Sequence, residues 1–153
     1  MNIIEIFTKS IFLIISFDSD LWEIIILSLY VSISALIIAS ILGLVIGYYI
    51  ALKKFLFKSF ILIVLNSLMG IPPVVVGLIV YFTFASGGPL GVLQLLYTPS
   101  AMIIAQVIII FPIVTSISHE IFDQNWREYK DQLRSINMPF FGVAFIITKH
   151  SYF

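Results

Sequence analysis

Residues 59–119 form an unbroken run of 61 positions without a single Asp, Glu, Lys or Arg. At about 1.5 Å of rise per residue, such a run holds two helices that each cross a hydrocarbon layer of about 30 Å. A second run, 24–52, adds 29 more uncharged residues. The chain is 61% hydrophobic and 10% charged, whereas soluble domains are roughly 45–50% apolar and about 25% charged. A soluble enzyme, a nucleic-acid binder and a disordered linker are thereby excluded. The class that remains is an all-α polytopic membrane helix bundle, because only helices satisfy every backbone group within one apolar segment. The formal net charge is zero and there is no cysteine, so nothing draws the chain to nucleic acid and thiolate metal sites are ruled out.

The sixteen charges map the expected topology. Transmembrane helix 1 is placed at 21–52, helix 2 at 60–84 and helix 3 at 100–121, joined by loops at 53–59 and 85–99. Gly87, Gly88, Pro89, Gly91 and Pro99 mark the second loop, with the glycines expected to supply positive φ. Lys53, Lys54 and Lys58, together with Arg127, Lys130, Arg134 and Lys149, are seven of the eight basic residues. Three crossings put both groups on one side. The positive-inside rule makes that side cytoplasmic, with 122–153 in the cytoplasm and the N-terminus outside a cell inner (plasma) membrane. Segment 1–17 is too short to span and lacks a signal-peptide pattern. Asn2, Glu5, Lys9 and Ser16 share one stripe, so it is expected to be an interfacial amphipathic helix with a Glu5–Lys9 pair. Asp20 is expected to cap helix 1, with Glu23 completing a capping box.

Helix 1 carries Ala35, Ala39, Gly43, Gly47 and Ala51 at fourfold spacing, the pattern of a helix-packing face in lipid. Helix 2 is interrupted by Asn66, Gly70, Pro72, Pro73 and Gly77. Broken backbone at membrane depth needs protein or water to satisfy its freed carbonyls. Two readings stay open, the lining of a polar cavity or a simple kink. Gln106, Pro112 and Thr115 offer matching positions in helix 3 and complete the candidate translocation path, although Asn66 and Gln106 also suit a bond across helices. No catalytic residue and no metal site is expected, since His119 and His150 lack co-ligands and no Asp, Glu, Lys or Arg lies within 24–52 or 59–119. After helix 3, Phe122, Trp126, Tyr129 and Leu133 line one face while Arg127, Glu128, Lys130, Asp131 and Arg134 line the other. Asn137-Met138-Pro139 then breaks the helix before a short apolar one at 140–149.

The tail resembles the coupling loop of the membrane permeases of ABC-type importers, whose Glu-Ala-Ala-x-x-x-Gly core docks on an ATPase. Asp131 takes the acidic position, Ile136 that of the leucine before the glycine, and Asn137 that of the glycine. Gln132 and Leu133 depart from the alanines, and Lys149-His150 stands where many members have Leu-Pro. Asn66-Ser67-Leu68-Met69-Gly70-Ile71-Pro72-Pro73-Val74-Val75-Val76-Gly77 is similar to the Pro-Pro-x-Val-x-Gly segment of oxyanion importers. The Tyr97-Thr98-Pro99 turn and the Ala105-Gln106 step resemble most the tungstate-specific branch, related to the molybdate permeases.

The resemblance implies the ABC importer permease (MetI-like) fold over 20–153 and no enzymatic activity in this chain. It implies no bound cofactor, with ATP and Mg held by a partner ATPase that docks at Asp131, Leu133, Arg134, Ser135, Ile136, Asn137, Met138 and Pro139. The other implied partners are a periplasmic or extracellular substrate-binding protein, a second permease copy in a homodimer, and the lipid bilayer. Such permeases continue with at least two further crossings, so the expectation is a single incomplete permease domain, truncated or split. The competing expectations are a stand-alone three-span protein of holin-like or stress-related type, and an ABC permease for molybdate, sulfate or another small solute.

Overall fold

In the computed structural model, residues 3–16 and 18–135 are described, and among them are helices and no strand. Five α-helices follow in order: α1 Ile3–Ile15, α2 Ser19–Leu52, α3 Lys58–Met69, α4 Pro73–Phe84 and α5 Pro99–Ser135, with a 3-10 turn at Gly91–Leu93. The chain is an all-α membrane helix bundle. α2 and α5 are each long and apolar enough to cross a bilayer. α2, at 34 residues, is about 50 Å long and exceeds the hydrocarbon layer, which a tilted helix accommodates. α1 has 13 residues, too few to cross, and leaves Ile4, Phe12, Ile14 and Ile15 exposed. The side chain of Lys9 lies outside the described residues, and so does the expected Glu5–Lys9 pair.

The start of α2 corrects one expectation. Asp18, not Asp20, is the cap: it holds φ −55° and ψ 126°, and its carboxylate accepts from the Leu21 N–H at 3.1 Å. The helix extends back to Ser19, which takes Asp20 inside the first turn, where a negative charge favours the positive end of the helix dipole.

α2 and α5 form the main seam. Every member of the small-residue series, Ala35, Ala39, Gly43, Gly47 and Ala51, is buried. A Cβ placed on Gly43 would lie 2.8 Å from Val114 Cγ1, and one on Gly47 would lie 2.7 Å from both the Thr115 carbonyl oxygen and Ser118 Cβ. Lipid supplies no hydrophobic force between helices, so this close backbone approach and its dispersion contacts hold the pair. Tyr48 closes the end of the seam edge-on against Phe122, with ring centroids 5.0 Å apart.

The segment 60–84, expected as one crossing, is two 12-residue helices bent by 98°. Each half is about 18 Å long and neither crosses alone. Pro72 and Pro73 disfavour helical backbone in the residue preceding each of them, so α3 stops at Met69 and α4 restarts with Pro73 in its first turn. α4 packs through Val76, Val80 and Phe84 against Leu95 and Leu96 of the loop and Ile104, Ala105 and Ile109 of α5.

The loop after α4 overturns another expectation. Among the described residues, positive φ occurs at Gln94 (49°) and Tyr97 (64°), and no glycine has it. Gly88 and Gly91 serve close packing instead: a Cβ on Gly88 would lie 2.1 Å from the Phe82 carbonyl oxygen, and one on Gly91 would lie 2.4 Å from that of Ala85. The chain folds back over the end of α4 there, with the Leu90 N–H donating to the Thr83 carbonyl at 3.0 Å.

The seam predicts a contrast between two glycines. Gly47→Ala forces the added methyl into α5 backbone and should destabilise the bundle by about 1–3 kcal/mol. At Gly77 an added Cβ meets nothing within 4 Å, so Gly77→Ala should be neutral or stabilise by up to about 1 kcal/mol. Reversible unfolding in mixed micelles measures both; equal stabilities for the two variants would refute the seam.

Candidate translocation site

Hydroxyl groups in an apolar helix need an acceptor, and most find one in their own backbone. Ser28, Ser67, Thr83 and Thr115 each donate to the carbonyl four residues earlier, at 2.7–2.8 Å. Ser116 differs. Its hydroxyl crosses to α3 and donates to Asn66 Oδ1 at 2.5 Å. This bond sits in an open cavity of about 600 Å³ between α3 and α5, lined by Leu62 and Asn66 on one side and by Ser116, His119, Glu120, Asp123, Gln124 and Arg127 on the other.

An ion-pair network adjoins the cavity. Lys58, the first residue of α3, places its Nζ 3.1 Å from Asp123 Oδ1 and also donates to the Ala51 carbonyl at 3.2 Å. The other carboxylate oxygen of Asp123 accepts from Arg127 Nε at 2.8 Å. The Lys58 and Asp123 side chains are only 22% and 17% exposed, so this pair is shielded, whereas Arg127 is 77% exposed. His119 Nε2 is buried and has no hydrogen-bond partner among the described residues.

The expected path residues divide. Asn66 lines the polar cavity. Gly70 and Pro72 are exposed at the elbow, where Gly70 ends α3 in helical conformation and Pro72, at φ −59° and ψ 134°, begins α4. Pro73 is exposed in the first turn of α4. Gly77 faces a separate apolar recess of about 230 Å³ with Tyr81, Tyr97 and Met102. Gln106 is half-buried in α5. Pro112 is buried within α5, and Thr115 is fully buried where Gly43 and Gly47 meet that helix, so Thr115 faces the seam and not the polar cavity. Behind the elbow, Leu68, Met69, Ile71, Val76, Ile79, Ile108, Ile109 and Ile113 line an apolar recess of about 130 Å³. Among the described residues, no group of three His, Asp or Glu gathers to hold a metal.

Of the expected docking residues, Asp131, Leu133, Arg134 and Ser135 lie in the last turns of α5 with side chains outside those described, and Ile136, Asn137, Met138 and Pro139 lie outside the described residues altogether. The expected helix at 140–149 does too. Sequence reading missed Ser116, Glu120, Asp123, Gln124 and Arg127 as a group. The spacing signal was present, since these positions recur at helical intervals on α5, but the partners Asn66 and Lys58 are distant in the chain.

Comparison with known proteins finds transporter permeases similar to this chain. It is 40% identical over 119 residues to the tungstate uptake system permease protein TupB of Peptoclostridium acidaminophilum, which covers 78% of this chain and 52% of that protein. A probable anion ABC transporter permease protein of Haloferax volcanii is 43% identical over 91 residues, covering 60% of this chain and 39% of the relative. The tungstate uptake system permease protein TupB of Campylobacter jejuni is 32% identical over 85 residues, covering 56% and 36%. The chain thus spans about half the length of the first relative and less of the other two. No family model and no solved structure matches it. The kinship with the tungstate branch of the oxyanion-importer permeases is shown by these relatives, and all three are named as transport components.

The shielded ion pair yields a prediction. Asp123→Asn leaves the Lys58 ammonium half-buried without its counter-charge, and Lys58→Met does the reverse. Each should destabilise the bundle, and the double variant should recover part of the loss, with a coupling of about 0.5–3 kcal/mol. A double-mutant cycle by unfolding in mixed micelles measures it; additive effects would show that the pair contributes nothing.

Proposed function

We propose that this chain, akin to the tungstate uptake permeases, is the membrane-spanning subunit of an ATP-driven importer that carries tungstate across the plasma membrane. The observation that carries the reading is the 40% identity to a tungstate uptake permease over 78% of the chain. The second relative of that name and an anion permease support the same cargo class. The lack of any acidic side chain over 59–119 agrees with an anionic cargo, because a dianion is held by hydroxyls and N–H groups and repelled by carboxylates. The break at Gly70–Pro73 supplies backbone irregularity of the kind a path through a helix bundle uses, and in the polar cavity the carboxylate of Asp123 is paired with the cations of Lys58 and Arg127.

The seven-to-one distribution of basic residues favours an N-terminus outside and α5 leading into the cytoplasm. In this arrangement a separate ATPase binds ATP and Mg and docks on 131–139, while an extracytoplasmic binding protein delivers the anion to a pair of permease copies. The chain makes and breaks no covalent bonds. It alternates between two conformations whose populations are biased by nucleotide on one side and loaded binding protein on the other.

Disrupting this chain in its host should abolish high-affinity accumulation of tungsten from dilute tungstate, measured by elemental mass spectrometry, and restoring it should rescue uptake. Unchanged tungsten content with impaired molybdenum or sulfate uptake would move the cargo to another oxyanion. Asp131→Lys or Asn137→Val should lower the ATPase recovered with the tagged permease from detergent; undiminished recovery with both variants would overturn the docking assignment.

A further inference from the structure

One path from the docking segment to the broken helix pair runs through the Lys58–Asp123 pair. α5 is a single helix from Pro99 to Ser135, so the docking residues 131–135 sit on the same rod as Asp123, two to three turns away. A packed helix moves as a unit over that distance. At Asp123 the rod meets Lys58, the first residue of α3, at 3.1 Å. Lys58 also holds the Ala51 carbonyl in the last turn of α2, so one ammonium joins the end of α2 and the start of α3 to the body of α5. Elsewhere α3 is held to α5 by the Asn66–Ser116 hydrogen bond, and between these two links lies the open polar cavity.

We propose that Lys58 and Asp123 are positioning residues that transmit displacement of the docking end of α5 into α3, and so set the opening of the polar cavity. The inference rests on the importer reading above. α3 is suited to respond because it is only 12 residues long and is freed from α4 at the elbow, where neither Pro72 nor Pro73 offers a backbone N–H. The shielding of the pair matters here. An exposed ion pair exchanges freely with water and holds position poorly, whereas a shielded pair with a second hydrogen bond is directional.

The test compares two rates in the complete transporter reconstituted with its ATPase and binding protein: tungstate uptake and ATP hydrolysis. Per amount of folded complex, Lys58→Met and Asp123→Asn should leave ATP hydrolysis near the unmodified level while tungstate moved per ATP falls by about tenfold. Lys58→Arg, which keeps the charge, should restore most of the ratio. If the ratio of uptake to hydrolysis per folded complex stays unchanged in both disruptive variants, the pair is a structural clamp and the proposal is overturned. A second measurement does not depend on folding yield: a cysteine pair placed at 62 and 120 should cross-link at different rates with and without ATP in the unmodified transporter and at equal rates in Asp123→Asn. Failure of the unmodified complex to take up tungstate would instead overturn the importer reading itself.

Discussion

The close approach of α2 and α5 is the constraint from which the other placements follow. Helices in lipid gain nothing by hiding leucine from leucine, so their association depends on how near the backbones come. Gly43 and Gly47 let α5 approach until its Thr115 carbonyl and His119 N–H occupy the space a methyl group would take. That contact fixes which face of α5 is used up. Thr115 and Ser118, three residues apart, turn into the seam and are buried. Ser116 is rotated about 100° from Thr115, and with Glu120, Asp123 and Arg127 it forms a stripe on another face. The polar cavity lies on the α3 side of α5 because the seam has already taken the α2 side.

The elbow is the second consequence of local chemistry. Two successive prolines remove two donors and bias the residues before them out of helical backbone, so a 27-residue segment that has the composition of one crossing folds as two short helices. The Leu68 carbonyl, freed by Pro72, accepts from the Ile71 N–H, and the Val75 N–H reaches back to the Pro72 carbonyl. What remains open is an apolar recess lined by isoleucine, leucine, valine and methionine behind the bend.

Features repeated along one helix were legible in the sequence, and features formed between distant segments were not. The fourfold series from Ala35 to Ala51 announces a packing face because its spacing is itself the signal. The position of the break at Gly70–Pro73 is equally local, although its 98° size depends on how α3 and α4 each find α5. The cap illustrates a near miss: Asp18 and Asp20 have the same chemistry, and only the backbone angles decide which one accepts from a free N–H. In the loop, glycines suggested positive φ, yet Gln94 and Tyr97 adopt it while Gly88 and Gly91 make room for carbonyls. Lys58 and Asp123 are 65 residues apart, and nothing in either neighbourhood points to the other. Lys58 is equally adequate as a topogenic charge, which is how its composition reads.

The two ends of the α3–α4 pair are attached to α5 by different forces, and that difference bears on how the pair moves. At the loop end, Val76, Val80 and Phe84 meet Ile104, Ala105 and Ile109 of α5 through apolar contacts. Such contacts are non-directional, so small sliding leaves their energy nearly unchanged. At the other end the links are Lys58–Asp123 and Asn66–Ser116, which weaken steeply once distance or angle departs from the bonded geometry. A body held by a sliding contact at one end and by breakable, oriented bonds at the other has one soft coordinate. The loop end is free to slide, while the end bearing Lys58 follows α5 through its oriented bonds. The charged groups that α5 carries beyond the uncharged run therefore stand where a modest force has the greatest leverage over the polar cavity.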